Sequence, residues 1–346
     1  MPRKGQSAPG AVVDDGRRFW KGSSGRWAGE RLLESMASGQ GFQSSALRTA
    51  DTLRKDEWIH LDEALVEEGI IRLKAVADLM AAGLTIPVAN GLGKTVFQYE
   101  KVTDMEPAIT SLDGMAQSEG DRQEFSLNNL PLPITHKDFF INLRTLSASR
   151  ERGESLDTMQ ARVAGRLVSE RVEQLLFDGG PQFGGLDIPG YRTHSDRNQI
   201  NFSNGSWAVV ATADGEDILT DVLAMISAAE GDRMYGPYRL YVPSNFSMSI
   251  ERDFKANSDK SIRQRLMEVD RLVGISICDQ LAADEAVLVQ MTRDVVALVT
   301  GEPLQTIQWD IMGGFQINFK AYTIMVPLIR SDNDGRSGVV HMTVAP

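Results

Sequence analysis

One long amphipathic helix, ended by a glycine-rich stretch, constrains the fold of this chain more than any other feature. Residues 155–177 read SLDTMQARVAGRLVSERVEQLLF, in which Ser155 can cap the helix and Asp157 suits its first turn. Apolar residues recur there at helical spacing: Leu156, Met159, Val163, Leu167, Val172, Leu175 and Leu176. At ~1.5 Å per residue, the sequence predicts a rod on the order of 35 Å long with one buried face.

The stretch that follows, FDGGPQFGGLDIPGY from Phe177 to Tyr191, contains five glycines and two prolines. A phosphate-binding glycine loop runs from a strand into the N-terminus of a helix, where free N–H groups and positive partial charge meet the anion. This stretch leaves a helix instead, where carbonyl groups and negative partial charge repel phosphate. We therefore predict a structural turn, with Gly179 or Gly180 in the left-handed conformation that ends helices.

Charge and cysteine content exclude several classes of protein. The 346 residues exceed what one hydrophobic core usually serves, so at least two lobes are expected. The net charge of −11 argues against a protein that coats nucleic acid, although residues 1–31 hold seven Lys and Arg against three acidic residues. A single cysteine, Cys278, permits no disulfide framework or thiolate cluster within the chain and indicates an intracellular protein. No apolar run approaches membrane-spanning length, and no targeting segment is evident.

The order of predicted elements indicates an α+β fold. A Gly-, Ser- and Arg-rich arm precedes a helix that begins near Asp56 and ends near Gly83. Two extended runs then flank a polar tip, 111–121, and such a ribbon is marginally stable alone. After the long helix, residues 203–301 alternate short strands with helices, and two further strand-like runs precede a polar tail.

Two motifs imitate binding loops but lack required residues. The stretch GLGKT, Gly91 to Thr95, has Val88 where a phosphate loop needs its first glycine, and a strand-like run follows it. It is better interpreted as a turn that enters the ribbon. In SDNDGRSG, aligning Gly335 with the sixth position of a calcium loop puts Arg330 first and His341 twelfth, where carboxylates belong.

The titratable residues supply no catalytic pattern. The four histidines, His60, His136, His194 and His341, have no spacing that places two on one face of an element. Cys278 lies in an apolar strand-like run, which indicates a buried, inert thiol, and no G-x-S-x-G motif exists. We predict no catalytic, cofactor-binding or metal-binding residues, no cofactor and no enzymatic activity.

The order and content of these elements resemble the major capsid proteins of tailed bacteriophages and the related encapsulins, which share the HK97-like fold. The resemblance runs from about Leu53 to Arg330. Its most specific parts are LRKDEWIHLDEALVEEGIIRLKAVADLMAAG, LPLPITHKDFFINLRTLSASRERGESLDTMQARVAGRLVSERVEQLLFDGG and GLDIPGY.

The resemblance implies a division of the chain. It comprises an arm (1–55), a helix (56–83), an extended β-ribbon loop (84–130), a peripheral domain (131–203 and 302–331) with spine helix 155–177, an axial domain (204–301) and a C-terminal tail (332–346). In that family the extended loop lies on a neighbouring subunit, and axial domains meet at the centre of a hexamer or pentamer. Some relatives crosslink a lysine of this loop to another subunit, but nothing around Lys94 or Lys101 matches such a site.

The function implied is that of a major capsid protein, which assembles from hexamers and pentamers into an icosahedral shell around the double-stranded DNA of a tailed phage. An encapsulin shell around protein cargo is the alternative, and a soluble α/β enzyme is a distant one. The long arm favours a phage, because encapsulins carry no comparable one. The implied partners are the chain itself, portal, scaffolding or decoration proteins, and DNA contacted non-specifically if at all. No membrane partner is implied, and the implied location is the virion, assembled in the host cytoplasm.

Overall fold

The computed structural model describes residues 11–14, 17–20, 61, 63–67, 73–102, 110, 112, 125–152, 159–209, 213–255, 259–311 and 315–344. Two compact units are formed by discontinuous parts of the chain. One unit comprises residues 1–63, 138–160 and 307–320, and the other comprises residues 64–137, 161–306 and 321–346. The boundaries drawn from the resemblance remain predictions.

Helices and strands alternate through most of the described chain. The helices are α1 (Lys74–Ala81), α2 (Leu143–Arg152), α3 (Met159–Asp178), α4 (Gly215–Gly231), α5 (Ser247–Ile250) and α6 (Ile262–Met267). The first strands are β1 (Ala11–Asp14), β2 (Arg17–Trp20), β3 (Thr85–Pro87), β4 (Val96–Val102), β5 (Phe125–Pro131), β6 (Thr135–Asn142), β7 (Gly180–Phe183) and β8 (Leu186–Ile188). The later strands are β9 (Asn198–Asn201), β10 (Tyr238–Val242), β11 (Leu272–Ile277), β12 (Glu285–Gln290), β13 (Val296–Ile311), β14 (Gln316–Ile329) and β15 (Val339–Thr343).

A five-stranded sheet, in the order β11-β10-β12-β15-β9, is buried on both faces. Side chains alternate between the faces along each strand, so Leu240 and Leu288 pack with α4 and α6. Tyr241 and Val287 point to the opposite face and pack with α1 and α3. The sheet therefore forms the middle layer between two sets of helices.

The long helix predicted from the sequence is α3, but its buried face is not the predicted one. The buried side consists of Ala161, Ala164, Gly165, Val168, Ser169, Val172, Glu173, Leu175, Leu176 and Phe177. Met159, Val163 and Leu167 are exposed, so the prediction was wrong for the first half of the helix. Small residues are buried there because a neighbouring backbone comes close: a Cβ atom on Gly165 would lie 2.4 Å from the carbonyl oxygen of Leu65.

The glycine-rich stretch binds the C-terminal carbonyl groups of α3, which no residue within the helix can satisfy. Gly179 adopts φ +77° and ends the helix, as predicted. The chain then forms the hairpin β7–β8 and returns to the helix end. The hydrogen bonds are Gly179 N to Leu175 O (3.0 Å), Tyr191 N to Leu176 O (2.9 Å), Arg192 N to Phe177 O (2.9 Å) and Thr193 Oγ1 to Asp178 O (3.1 Å). The stretch is thus a structural turn.

The ribbon and a second sheet account for the other extended runs. Strands β4 and β5 pair antiparallel from Val96 opposite Pro131 to Val102 opposite Phe125. The run predicted as one strand at 123–143 divides into β5 and β6, and β6 joins a four-stranded sheet in the order β3-β13-β14-β6. The start of the first helix near Asp56, residues 155–158 and almost all of the ribbon tip lie outside the described residues. The single helix predicted for 56–83 is interrupted: residues 63–67 are helical, but Leu73 has a non-helical ψ of 73° and α1 begins only at Lys74. Gly83, at φ +70°, follows α1 as predicted.

Two elements correct the sequence-based interpretation of the chain ends. Residues 339–343, which the sequence analysis left in a polar tail, form β15 between β12 and β9, with Val339, Val340 and Met342 fully buried. Five residues were too short a run to be recognised as a strand. In the arm, β1 and β2 pair antiparallel, and Asp15-Gly16 between them is a sequence that favours tight hairpin turns.

Two neighbouring residues of α3 test which face of the helix is buried. Val168 is 2% exposed and Leu167 is 38% exposed. A buried, unpaired carboxylate costs several kcal/mol, so we expect Val168→Asp to unfold the subunit. We expect Leu167→Asp to lower the free energy of unfolding by about 1 kcal/mol or less. Denaturant titration followed by circular dichroism measures both, and equal destabilisation would contradict the assigned face.

Candidate functional site

The two motifs that imitate binding loops are structural turns. Gly91–Gly93 forms a single 3-10 turn, and the chain enters β4 directly after it, as the sequence predicted. A Cβ atom on Gly91 would lie 2.5 Å from Cα of Gly301, so glycine is required there by a close backbone approach. In the calcium-like loop, the carboxylate of Asp332 accepts a hydrogen bond from the Arg336 N–H (2.7 Å).

The histidines and the cysteine are placed individually. His194 and His341 are both buried, His136 is exposed, and His60 lies outside the described residues. Cys278 is buried, as the sequence predicted, and burial raises the pKa of its thiol well above its usual range. Within the described ranges, no three His, Cys, Asp or Glu side chains are grouped as metal ligands would be, and none of the described helices is long and apolar enough to cross a membrane.

A polar groove of about 650 Å³ lies between the ribbon and the glycine-rich turn. Lys101 of β4 lines this groove. Its Nζ donates a hydrogen bond to Ser331 Oγ (2.7 Å) and lies 3.4 Å from Asp196 Oδ2. Burial alone would raise the pKa of Asp196, but hydrogen bonds from Ser331 and Ser195 and the charge of Lys101 lower it. Lys101 therefore attaches the ribbon to the rest of its unit by an ion pair.

A second charged network joins the end of α3 to the five-stranded sheet. Arg192 forms ion pairs with Asp178, the last residue of α3, and with Glu285 of β12, where Nε lies 2.6 Å from Oε2. His341 of β15 places Nε2 3.3 Å from Glu285 Oε2, and its Nδ1 accepts from Arg197 Nε (3.4 Å). Burial lowers the pKa of His341, and the neighbouring Glu285 opposes this shift.

A buried carboxylate joins α3 to α1. Glu173 is 3% exposed, and its Oε1 and Oε2 accept hydrogen bonds from the backbone N–H groups of Ala75 (2.7 Å) and Val76 (3.2 Å). Burial raises the pKa of Glu173 to about 7, although the two N–H groups oppose the shift. This carboxylate therefore changes its charge near neutral pH.

The ribbon exposes apolar side chains on its outer face. Tyr99 and Asn128 lie opposite each other and face the groove. Phe125 and Leu127 alternate to the other face of the ribbon, where they are 64% and 59% exposed, and Leu127 also borders the groove. Contiguous exposed apolar surface is typical of interaction sites.

The other unit presents a similar surface. Phe139 and Phe319 stack on its inner side, with ring centroids 5.0 Å apart. Lys320 lies 5.9 Å from the centre of the Trp309 ring and 3.6 Å from Asp138. Alternate residues of β13 expose apolar side chains on that face: Ile307, Trp309 and Ile311.

The sequence analysis located the ribbon and the turn. It missed the contact of Glu173 with α1 and the ion pairs of Arg192 with Asp178 and Glu285. Glu173 follows Gly165 and Ser169 at steps of four residues on the buried face, so an acidic residue in that row was the available signal. Asp178, Arg192 and Glu285 carried no signal, because a single sequence does not show which charged residues meet.

Known proteins resemble this chain over most of its length. It is 23% identical over 248 residues to the type 1 encapsulin shell protein EncA of Myxococcus xanthus, which covers 70% of this chain and 78% of that protein. A virus-like particle from Pyrococcus furiosus superimposes with a TM-score of 0.59 at 16% identity, covering 83% of this chain and 98% of that one. The capsid of Myoviridae phage XM1 gives a TM-score of 0.59 at 13% identity, covering 77% and 91%. The HK97-like fold that the resemblance implied is thereby confirmed.

A family model described as a family of unknown function, DUF6260, matches residues 48–342. The match includes α1, the ribbon, α3, both larger sheets and most of β15. It begins after the two strands of the arm.

Lys101 offers a test of how the ribbon is attached. In Lys101→Met the apolar stem is retained and the charge is lost, so Asp196 loses its ion pair. We expect faster amide hydrogen exchange in β4 and β5, and a free energy of unfolding lower by about 1 to 2 kcal/mol. Lys94→Met, at an exposed position just before β4, is the matched control and should match the wild type. Unchanged exchange in Lys101→Met would show that the ion pair does not hold the ribbon.

Proposed function

The chain belongs to the DUF6260 family, and from this premise we propose that it is the major capsid protein of a tailed bacteriophage. It assembles as hexamers and pentamers into an icosahedral shell that encloses double-stranded DNA. Its role is structural, and its main partner is another copy of itself.

The outer face of the ribbon is the observation that carries this proposal. A two-stranded ribbon is marginally stable alone, yet Phe125 and Leu127 extend into solvent on its outer face. Burying two such side chains gains about 1.5 to 3 kcal/mol each. In a closed shell, each ribbon buries these side chains against a neighbouring copy, so the gain is repeated at every subunit.

The described elements receive roles on this basis. The ribbon, within 84–130, is the extended loop that lies on a neighbouring copy. Helix α3 is the spine of the peripheral domain (131–203 and 302–331), and residues 204–301 form the axial domain around the symmetry axis of each capsomer. The ion pair of Lys101, which lies opposite Ser126 near the tip end of the paired strands, holds the extended loop against its own subunit.

An encapsulin-type shell around protein cargo is the second candidate, and the similarity to EncA favours it. The basic arm favours the phage capsid, because the resemblance to this fold family implies that encapsulin shells carry no comparable arm. Seven Lys and Arg within residues 1–31 can contact neighbouring copies or the outermost DNA through salt-sensitive contacts. Portal, scaffolding and decoration proteins are further partners under this proposal, with assembly in the host cytoplasm and the virion as final location.

Electron microscopy of particles from the organism that encodes the chain tests the proposal. Thin closed shells with nuclease-protected DNA are expected. Shells filled with protein instead of DNA would favour the encapsulin alternative. A protein that stays monomeric at all concentrations and salt conditions would contradict both.

Substitution on the outer face of the ribbon should separate assembly from folding. In Phe125→Ser/Leu127→Ser, the apolar contacts with a neighbour are lost while the core of the subunit is untouched. We expect an unchanged circular dichroism spectrum and at least a tenfold lower yield of shells by size-exclusion chromatography. Gln98→Ser, on the same face, is the matched control. Normal shells from the double variant would contradict the assigned role of the ribbon.

Truncation tests the arm. Residues 17–55 hold the tryptophans Trp20 and Trp27, which need an apolar surface that DNA does not present. We therefore expect deletion of residues 1–10 to leave assembly intact, and deletion of residues 1–50 to weaken or abolish it. Particle yield and diameter by light scattering measure both. Stable shells of normal diameter from the longer deletion would show that the arm does not bind neighbouring copies.

A further inference from the structure

Helix α1 begins without a capping side chain of its own. Leu73 occupies the N-cap position and makes no side-chain hydrogen bond. The first N–H groups of a helix have no partner within it and need an outside acceptor. Glu173, 98 residues further along the chain, is that acceptor for Ala75 and Val76. The start of α1 is therefore held by a carboxylate from α3.

The surroundings of Glu173 offer its charge little compensation. Within α1, Lys74 has an exposed side chain, while the Asp78 carboxylate is bound by Arg239 (3.1 Å) and Ser276 (2.9 Å). Apart from the two N–H groups, the nearby apolar core includes Val172, Leu176 and Phe177. The other titratable groups near Glu173 are Tyr191 after β8 and Cys278 after β11, and Tyr241 of β10 stacks on Tyr191.

Two buried tyrosine hydroxyl groups complete the junction. Tyr191 and Tyr241 stack with their ring centroids 6.2 Å apart, and each lies edge-on to Phe177. Among the residues that the structure describes, neither hydroxyl has a hydrogen-bond partner. Each hydroxyl oxygen can accept a hydrogen bond without displacing an existing one.

We propose that Glu173 is a proton-operated latch, which holds the start of α1 with both oxygens when ionised and with one oxygen when protonated. The proton goes to Oε2, which makes the longer bond. Val76 N–H then loses its charged acceptor, while the neutral carboxyl group stays in the apolar core. Acid thus loosens the start of α1 locally.

The pH window follows from the burial of the carboxyl group. Its pKa is raised from 4.5 to about 7, so the folded chain takes up this proton between neutral pH and pH 4.5 while the unfolded chain does not. The folded state as a whole is therefore favoured as the pH falls through this window, and this contribution is lost as the pH rises through about 7. Acid is thus expected to loosen the start of α1 locally, while it raises the free energy of unfolding of the whole subunit.

Hydrogen exchange of the full-length chain tests the latch. Exchange of peptides covering residues 73–82 is measured between pH 8 and pH 5.5 and corrected for the intrinsic pH dependence. We expect protection of this segment to fall several-fold on acidification in the wild type and to be independent of pH in Glu173→Gln. Glu170→Gln, a partly exposed carboxylate three residues earlier on α3 that pairs with Arg166, is the control and should behave as the wild type does. A wild-type profile as flat as that of Glu173→Gln would overturn the proposal.

Global stability supplies the second readout. Between pH 7 and pH 5, the folding equilibrium constant of the wild type should rise relative to that of Glu173→Gln by up to about tenfold per pH unit. If the variant does not fold, infrared spectra of the wild type still show whether the buried carboxyl group takes up a proton. A carbonyl band of a buried protonated carboxyl group should appear as the pH falls from 8 to 6. Absence of that band would overturn the proposal without any variant.

Discussion

The hydrogen bonds between the glycine-rich turn and the end of α3 fix the turn to the helix, and the turn also contacts the five-stranded sheet. The last carbonyl groups of this 20-residue helix are bound by the residues that continue the chain. An unpaired carbonyl in this buried position would cost about 1 to 3 kcal/mol, so the turn and the helix must form together. The same turn places Tyr191 in the core and Arg192 against Glu285 of the sheet. Helix, turn and sheet are therefore one cooperative element.

The buried contacts of this element contrast with the apolar side chains that other parts of the chain expose. Behind the turn, apolar side chains and ion pairs are shielded from water. The ribbon is held near the tip end of its paired strands by Lys101, while Phe125 and Leu127 on its other face are exposed. On the other unit, Trp309 and its neighbours on β13 lie on an exposed face. A buried core together with exposed apolar surfaces suits a subunit that completes its contacts by binding copies of itself.

The sequence predicted features determined by local chemistry and missed those determined by packing. The end of α3 was predictable, because only glycine adopts the conformation of Gly179 at little cost. The buried face was mistaken, because apolar residues occur on two sides of this helix and Gly165 is buried by a close backbone approach that hydrophobicity does not encode. Strand β15 was missed because five residues carry too little periodicity. Glu173 and Arg192 were missed because their partners are distant in sequence.

The position of β15 in its sheet has a consequence for biosynthesis. Strand β9 pairs with β15 and with no other described strand of that sheet, and β15 follows it by about 140 residues. At about 5 to 20 residues per second, a ribosome needs roughly 7 to 30 s to produce that partner. During this interval β9 stays outside the sheet and the core beneath it is open. Nascent chains on one polysome therefore reach the folded form that can associate only after the ribbon, both helical layers and β15 have been made.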